Sequence, residues 1–127
     1  MLARYRIQRG KRAPDDPLPD GVRQDTRKHT RHCLRPDAAA VERYLASPGH
    51  DGWDSFAAAY RELIEQRFAQ DRAPFEDLAQ LAGSEDVYLG CSCPTAKNPD
   101  VRHCHTWLAL EFMRDHYPDL AVEFPQA

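Results

Sequence analysis

The sequence predicts an α/β fold: a single compact, three-layer, Rossmann-like domain spanning residues 1–127 around a small, mostly parallel sheet. Three observations carry this reading. A chain of 127 residues has the size of one domain sharing one core. Apolar residues alternate near the N-terminus and recur at helical spacing through the middle of the chain. The run Val87-Tyr88-Leu89-Gly90-Cys91-Ser92-Cys93 then reads as a buried central strand, followed by a loop and another helical pattern.

Taken in order, Ala3, Tyr5 and Ile7 alternate with Arg4, Arg6 and Gln8, the period of a half-buried strand that Gly10 ends. Residues 13–21 hold Pro14, Pro17 and Pro19 among three aspartates, so this stretch is neither a helix interior nor a central strand but a surface loop. Residues 22–35 form the one strongly basic segment, with Arg23, Arg27, Lys28, Arg31 and Arg35 opposed only by Asp25. Val22, Gln24, Thr26, Lys28 and Thr30 fit one face of an edge strand within it.

Asp37 caps a helix through Val41, Tyr44 and Leu45, which Ser47-Pro48-Gly49 stops. Asp54 is the expected cap of a second helix, whose Phe56, Tyr60, Leu63, Ile64 and Phe68 form one apolar stripe. A third helix starts around Pro74, buries Phe75, Leu78, Ala79 and Leu81, and ends at Gly83. After the central strand, Pro94 opens a loop to His103, and Cys104 to Met113 form a well-buried helix ending at Tyr117-Pro118-Asp119. Ala121 to Phe124 fit a last strand.

No stretch approaches the roughly 20 apolar residues of a membrane helix, and the N-terminus lacks an apolar signal core, so a cytoplasmic location away from membranes is expected. In a reducing compartment the four cysteines are not expected to form a disulfide framework. The bunching of three of them, Cys91, Cys93 and Cys104, within segment 86–115 points to metal binding or thiol chemistry. Cys91 and Cys93 project from one face at the C-terminal end of the central strand, where open α/β sheets place ligands. After ten intervening residues Cys104 and His105 open the next helix, so the chain can return them to the same crevice.

Cys91, Cys93, Cys104 and His105 make a set that tetrahedral zinc accepts, with His103 competing for the fourth place. Alternatively Cys104 is a reactive thiol beside His105, the two forming a catalytic pair, with Cys91 or Cys93 resolving it. Packing as small hydrophobes is the third reading, and the one favoured for the distant Cys33. Trp53 and Trp107 read as core anchors, and His50, His103 and His116 as surface or capping residues.

In the basic segment Arg27, Lys28 and Arg31 are candidates for an anion site taking a small-molecule, phosphate or nucleotide ligand; the plainer reading is a solvated edge. A runner-up function is a small nucleic-acid-binding module in which this segment contacts phosphates and the cysteines are structural. A formal net charge of -3 argues against a global field of one sign. There is no P-loop or dinucleotide fingerprint, and the pattern specifies no oligomeric state.

The layout Trp53-x-x-Phe56-x-x-x-Tyr60-x-x-x-Ile64, a short helix, a strand ending in Cys91-x-Cys93, then Cys104-His105 opening an apolar helix resembles the YeaO-like family, domain of unknown function 488. The likeness runs from Asp37 to Phe124. It implies a Rossmann-like α/β fold of bacterial and archaeal proteins and brings no established reaction. Some members of that family carry Cys-His-Arg where this chain has Cys104-His105-Thr106, and others an Asn-His pair without cysteines. The family's Val-Asp-x-Arg strand corresponds loosely to Gln24-Asp25-Thr26-Arg27, which marks Asp25 and Arg27 as further site residues.

Overall fold

The computed structural model describes residues 1–126. Strands β1 (Leu2–Arg6), β2 (Val22–Asp25) and β3 (Val87–Cys91) form an open parallel sheet in the order β1-β3-β2. Helices α1 (Ala38–Ala46), α2 (His50–Gln70), α3 (Ala73–Ser84) and α4 (His105–His116) complete an α/β domain. The last strand in sequence is central in space, which is why its run is apolar: Val87 is flanked by Leu2 and Val22, and Gly90 by Tyr5 and Asp25. β2 is the edge strand that its polar composition suggested.

One core unites these elements. Leu2, Val87 and Leu89 meet the α2 stripe Phe56, Tyr60, Ile64 and Phe68, the α3 residues Phe75 and Leu78, and Leu110 and Met113 of α4. The alternation in β1 differs from the sequence expectation. Leu2 and Arg4 stand beside Val87 and Leu89 of the core face, whereas Tyr5 and Ile7 turn to the other side, against Gly90. An arginine was assigned to water because its head is charged; here its stem lies along the sheet and its head is used inside.

The helix ends show how local chemistry fixes the layout. Asp37 caps α1 by accepting the Ala40 backbone N–H, as expected. α2, however, begins at His50 and not at Asp54, because Gly49, at φ 117°, turns the chain into the helix one turn earlier. Asp54 instead lies 3.4 Å from the His50 imidazole. α3 carries Pro74 in its first turn. The expected last strand is reduced to a single bridge between Val122 and Leu2, parallel to β1. Pro118 and Pro125 bound this short piece, and Phe124 packs on Trp107 of α4, with ring centroids 4.9 Å apart.

α2 passes so close to the end of α1 that a Cβ on Gly52 would lie 2.2 Å from the Ser47 carbonyl oxygen. Alanine is favoured over glycine in a helix by about 1 kcal/mol. The clash is with backbone, which no rotamer change relieves, so Gly52→Ala should destabilise the fold by about 1–3 kcal/mol in urea unfolding. An unchanged or raised midpoint would show that this turn relaxes freely.

Candidate functional site

The parallel sheet brings its three C-terminal ends to one edge, and the cysteine segment is built there. Cys91 ends β3, Cys93 follows two residues later, and the loop returns so that Cys104 becomes the N-cap of α4. The sulfurs of Cys91, Cys93 and Cys104 all lie within 4.8 Å of one another, close enough to hold a metal ion. In a tetrahedral zinc site with bonds of about 2.3 Å, sulfurs stand about 3.8 Å apart, so small side-chain adjustments suffice. Cys91 and Cys104 are buried, Cys93 is half-buried, and all are free thiols.

The loop that closes this arrangement is organised by Asn98. Its side chain accepts a hydrogen bond from Tyr44 Oη at 3.1 Å, donates to the His103 carbonyl at 2.7 Å, and donates to Cys93 Sγ at 3.3 Å. Arg4 reaches the same place from β1, Nη2 donating to the Cys93 carbonyl at 2.6 Å and the Cys91 carbonyl at 3.4 Å. Thr106 Oγ1 donates to Cys104 Sγ at 3.2 Å.

These contacts decide where negative charge settles. Hydrogen bonds from the Cys104 and Cys91 thiols hold Cys93 far below the usual thiol range against the cost of burial, helped by Asn98 and the Arg4 charge. Donation to Cys104 and Cys93, together with burial, drives the Cys91 thiol far up. At Cys104 a bond from Cys91 works downward, but donation to Cys93 and full burial outweigh it and raise the thiol. The depressed thiol is therefore Cys93, not the Cys104 that its helix-terminal position suggested.

His105 is buried beside the sulfurs. Thr26 Oγ1 donates its one proton to the Gly90 carbonyl at 2.9 Å, so in its 2.8 Å contact with His105 the imidazole Nε2–H is the donor. This leaves Nδ1 unprotonated, 3.9 Å from Cys104 Sγ. Burial lowers the imidazole to about 4, which keeps it neutral. His105 stands next to the three-sulfur set and outside it.

Above the sulfurs opens a cleft of about 340 Å³. Tyr44, Trp53 and Phe56 line it together with His103, which stacks on Trp53 at 4.9 Å and 19°. Arg27, Lys28, His29 and Lys97 line it as well.

A family model described as "Active DUF488-N3 subclade" matches residues 4–117. The chain belongs to the DUF488 family. No curated protein and no solved structure matches it. The match to DUF488 extends past the Asp37 boundary of the motif resemblance and takes in β2 and the last three residues of β1. Gln24-Asp25-Thr26-Arg27 ends β2 at the site: Arg27 grips Asp25 through Nε at 3.0 Å and Nη2 at 2.8 Å, with Thr26 between them on His105.

Of the residues singled out from the sequence, Cys91, Cys93, Cys104, His105, Arg27 and Lys28 all reach the cleft. Arg31 is exposed and does not line it. Lys28 Nζ is 3.7 Å from Glu42 and Arg27 is bound to Asp25, whereas Arg23, Arg31 and Arg35 form no ion pair among the described residues. Cys33 is half-buried, and burial raises its thiol to about 11, in keeping with a packing role. Arg4, Thr26 and Asn98 were not singled out by sequence reasoning. Asn98 alone carried a usable signal, as an amide in a loop joining two cysteine positions.

Proposed function

We propose that this DUF488 domain is a metal-binding protein whose Cys91, Cys93 and Cys104 hold zinc at the floor of the cleft, with the fourth coordination position open toward a ligand. The observation that carries this reading is the convergence of three sulfurs from β3, its following loop and the α4 N-cap within 4.8 Å. Three soft thiolates favour zinc over magnesium or calcium. His105 outside the set, with its neutral Nδ1 turned toward Cys104, supports three-sulfur coordination, in which the imidazole would remain a base beside the sulfurs. An open zinc position acidifies bound water and polarises ligand oxygens, which suits hydrolytic chemistry. We place the protein in the cytoplasm, where free thiols persist; among the described residues no helix is long and apolar enough to cross a membrane.

A second reading, thiol chemistry without metal, is favoured by the half-buried Cys93, whose thiol is held low by its two cysteine neighbours. Metal content and free-thiol titre of anaerobically purified, untagged protein separate the two. Near-stoichiometric zinc that disappears in a Cys91→Ser, Cys104→Ser double variant is expected. Protein that takes up no zinc, with a Cys93 alkylated rapidly at neutral pH, would replace the metal reading with the thiol one.

A further inference from the structure

We infer that the cleft above the three sulfurs binds a small aromatic anion, its ring against the Trp53 wall and its phosphate or carboxylate on the cationic rim. This names the ligand class of the same site and rests on the proposed metal centre for what the ligand is held against.

The cleft has two unlike walls. On one, Tyr44, Trp53 and Phe56 form an aromatic cluster, Trp53 lying 5.4 Å from Phe56 at 28° and 5.6 Å from Tyr44 at 70°. Tyr44 is fixed in place by its hydrogen bond to Asn98. His103 stacks on Trp53 at 4.9 Å and 19°, and Tyr44 and Phe56 are buried, so a ligand ring meets the exposed part of an ordered four-ring cluster, and a flat ring loses little conformational entropy on binding there. The other wall carries Arg27, Lys28, His29 and Lys97, of which Lys28 is 3.7 Å from Glu42 and His29 3.8 Å from Asp25, so Arg27 and Lys97 are the groups with donors left for a ligand.

No aspartate or glutamate lines the cleft, although the chain has 20 acids against 17 lysines and arginines. Composition therefore does not account for the sign of the rim. Asp25 occupies Arg27 through Nε and Nη2, which leaves Nη1 as a free donor. Lys97 forms no ion pair or hydrogen bond among the described residues, so its charge is available to a ligand at the mouth. The volume, about 340 Å³, is at the small end of ligand pockets and fits one ring system with a head group, not a polymer.

The chain has two tryptophans, and Trp107 lies outside the cleft against Phe124, so Trp107→Phe leaves Trp53 as the sole indole reporter. Its fluorescence is titrated, on protein as isolated, with phenyl phosphate and benzoate, and with their separate halves: phenol and inorganic phosphate for the first, phenol as the neutral ring and acetate for the second. At least one aryl anion should quench Trp53 saturably and bind about tenfold or more tighter than either of its halves. Preference for phenyl phosphate assigns a phosphate head, and preference for benzoate a carboxylate. Lys97→Met should weaken that binding about tenfold without changing zinc stoichiometry. Aryl anions that bind no tighter than their halves, or a Lys97→Met variant that binds as well as its parent, would overturn the proposal. Zinc content is measured on the same samples. Metal-free protein that still selects the aryl anion sustains the ligand class and removes the metal centre, while zinc-bearing protein that selects none does the reverse.

Discussion

Metal-free protein should lose several kcal/mol of unfolding free energy as the pH falls from about 6.5 to about 4, with the loss beginning above the range in which its carboxylates protonate. Two histidines carry this expectation, His105, which is buried, and His32, which is half-buried. Burial lowers His105 to about 4 from an ordinary 6.5, and it lowers His32 to about 4 as well, slightly opposed by Asp25. Both imidazoles are tied down in the fold, His105 on Thr26 and His32 with Nε2 2.6 Å from Gln24 Oε1. The unfolded chain takes up these protons near pH 6.5 and the folded chain only near 4, so between those values the unfolded state binds up to two more protons. The histidine contribution to stability therefore rises with pH across that window and is complete above it. At 1.36 kcal/mol per pKa unit each histidine contributes at most roughly 3 kcal/mol. The Cys93 thiolate adds a one-proton slope of the same sign both above and below pH 6.5, so the histidines show as a steepening below it. Urea unfolding at half-unit pH steps reads this directly, and His32→Asn should remove about half of the extra slope. A slope that does not change through pH 6.5 would mean that both rings accept protons inside the fold.

Much of this arrangement was legible in the sequence, and the reasons for what was not are physical. α1, α3 and β3 stand close to where periodicity and caps put them, because an apolar stripe, Asp37, Pro74 and Gly83-Ser84 act through a few neighbouring residues. The three cysteines converge because Cys91 ends β3, Cys93 follows two residues later, and the loop returns Cys104 to the α4 N-cap, a return that the spacing allowed. The start of α2 was misplaced because Asp54 is a good cap, and nothing local says that Gly49 supplies the turn a full helical turn earlier. The fourth strand dwindled to one bridge because pairing depends on a partner outside its own sequence. The polar members of the site were the least visible. Thr26, Asn98 and Arg4 act through contacts 79, 5 and 89 residues away in the chain, and only the Asn98 contact is short enough to leave a local trace.

Arg4→Met should lower zinc affinity about 10–100-fold while leaving the three ligands untouched. A zinc ion on three thiolates carries a net charge of -1, and two of the three sulfurs belong to buried residues, so a compensating cation has to come from the protein. Arg4 is placed for this: its Nη2 is on the carbonyls of Cys93 and Cys91, and its charge acts to lower the thiols of Cys93 and Cys104. Methionine keeps the apolar stem along the core face of β1 but supplies neither donor nor charge. Both carbonyls lose a partner, the segment between them loosens, and the Cys93 thiolate becomes harder to form. Ultraviolet titration of the metal-free variant should therefore show the first thiol ionising at higher pH than in the parent, and chelator competition should show the weakened zinc site. Arg4→Lys retains the charge with poorer geometry and should recover part of both losses, which a purely steric role for Arg4 would not produce. Parental zinc affinity and an unmoved thiol titration in Arg4→Met would show that the carbonyl contacts only shape the loop, and that the charge of the centre is balanced from the cleft side by Arg27 and Lys97.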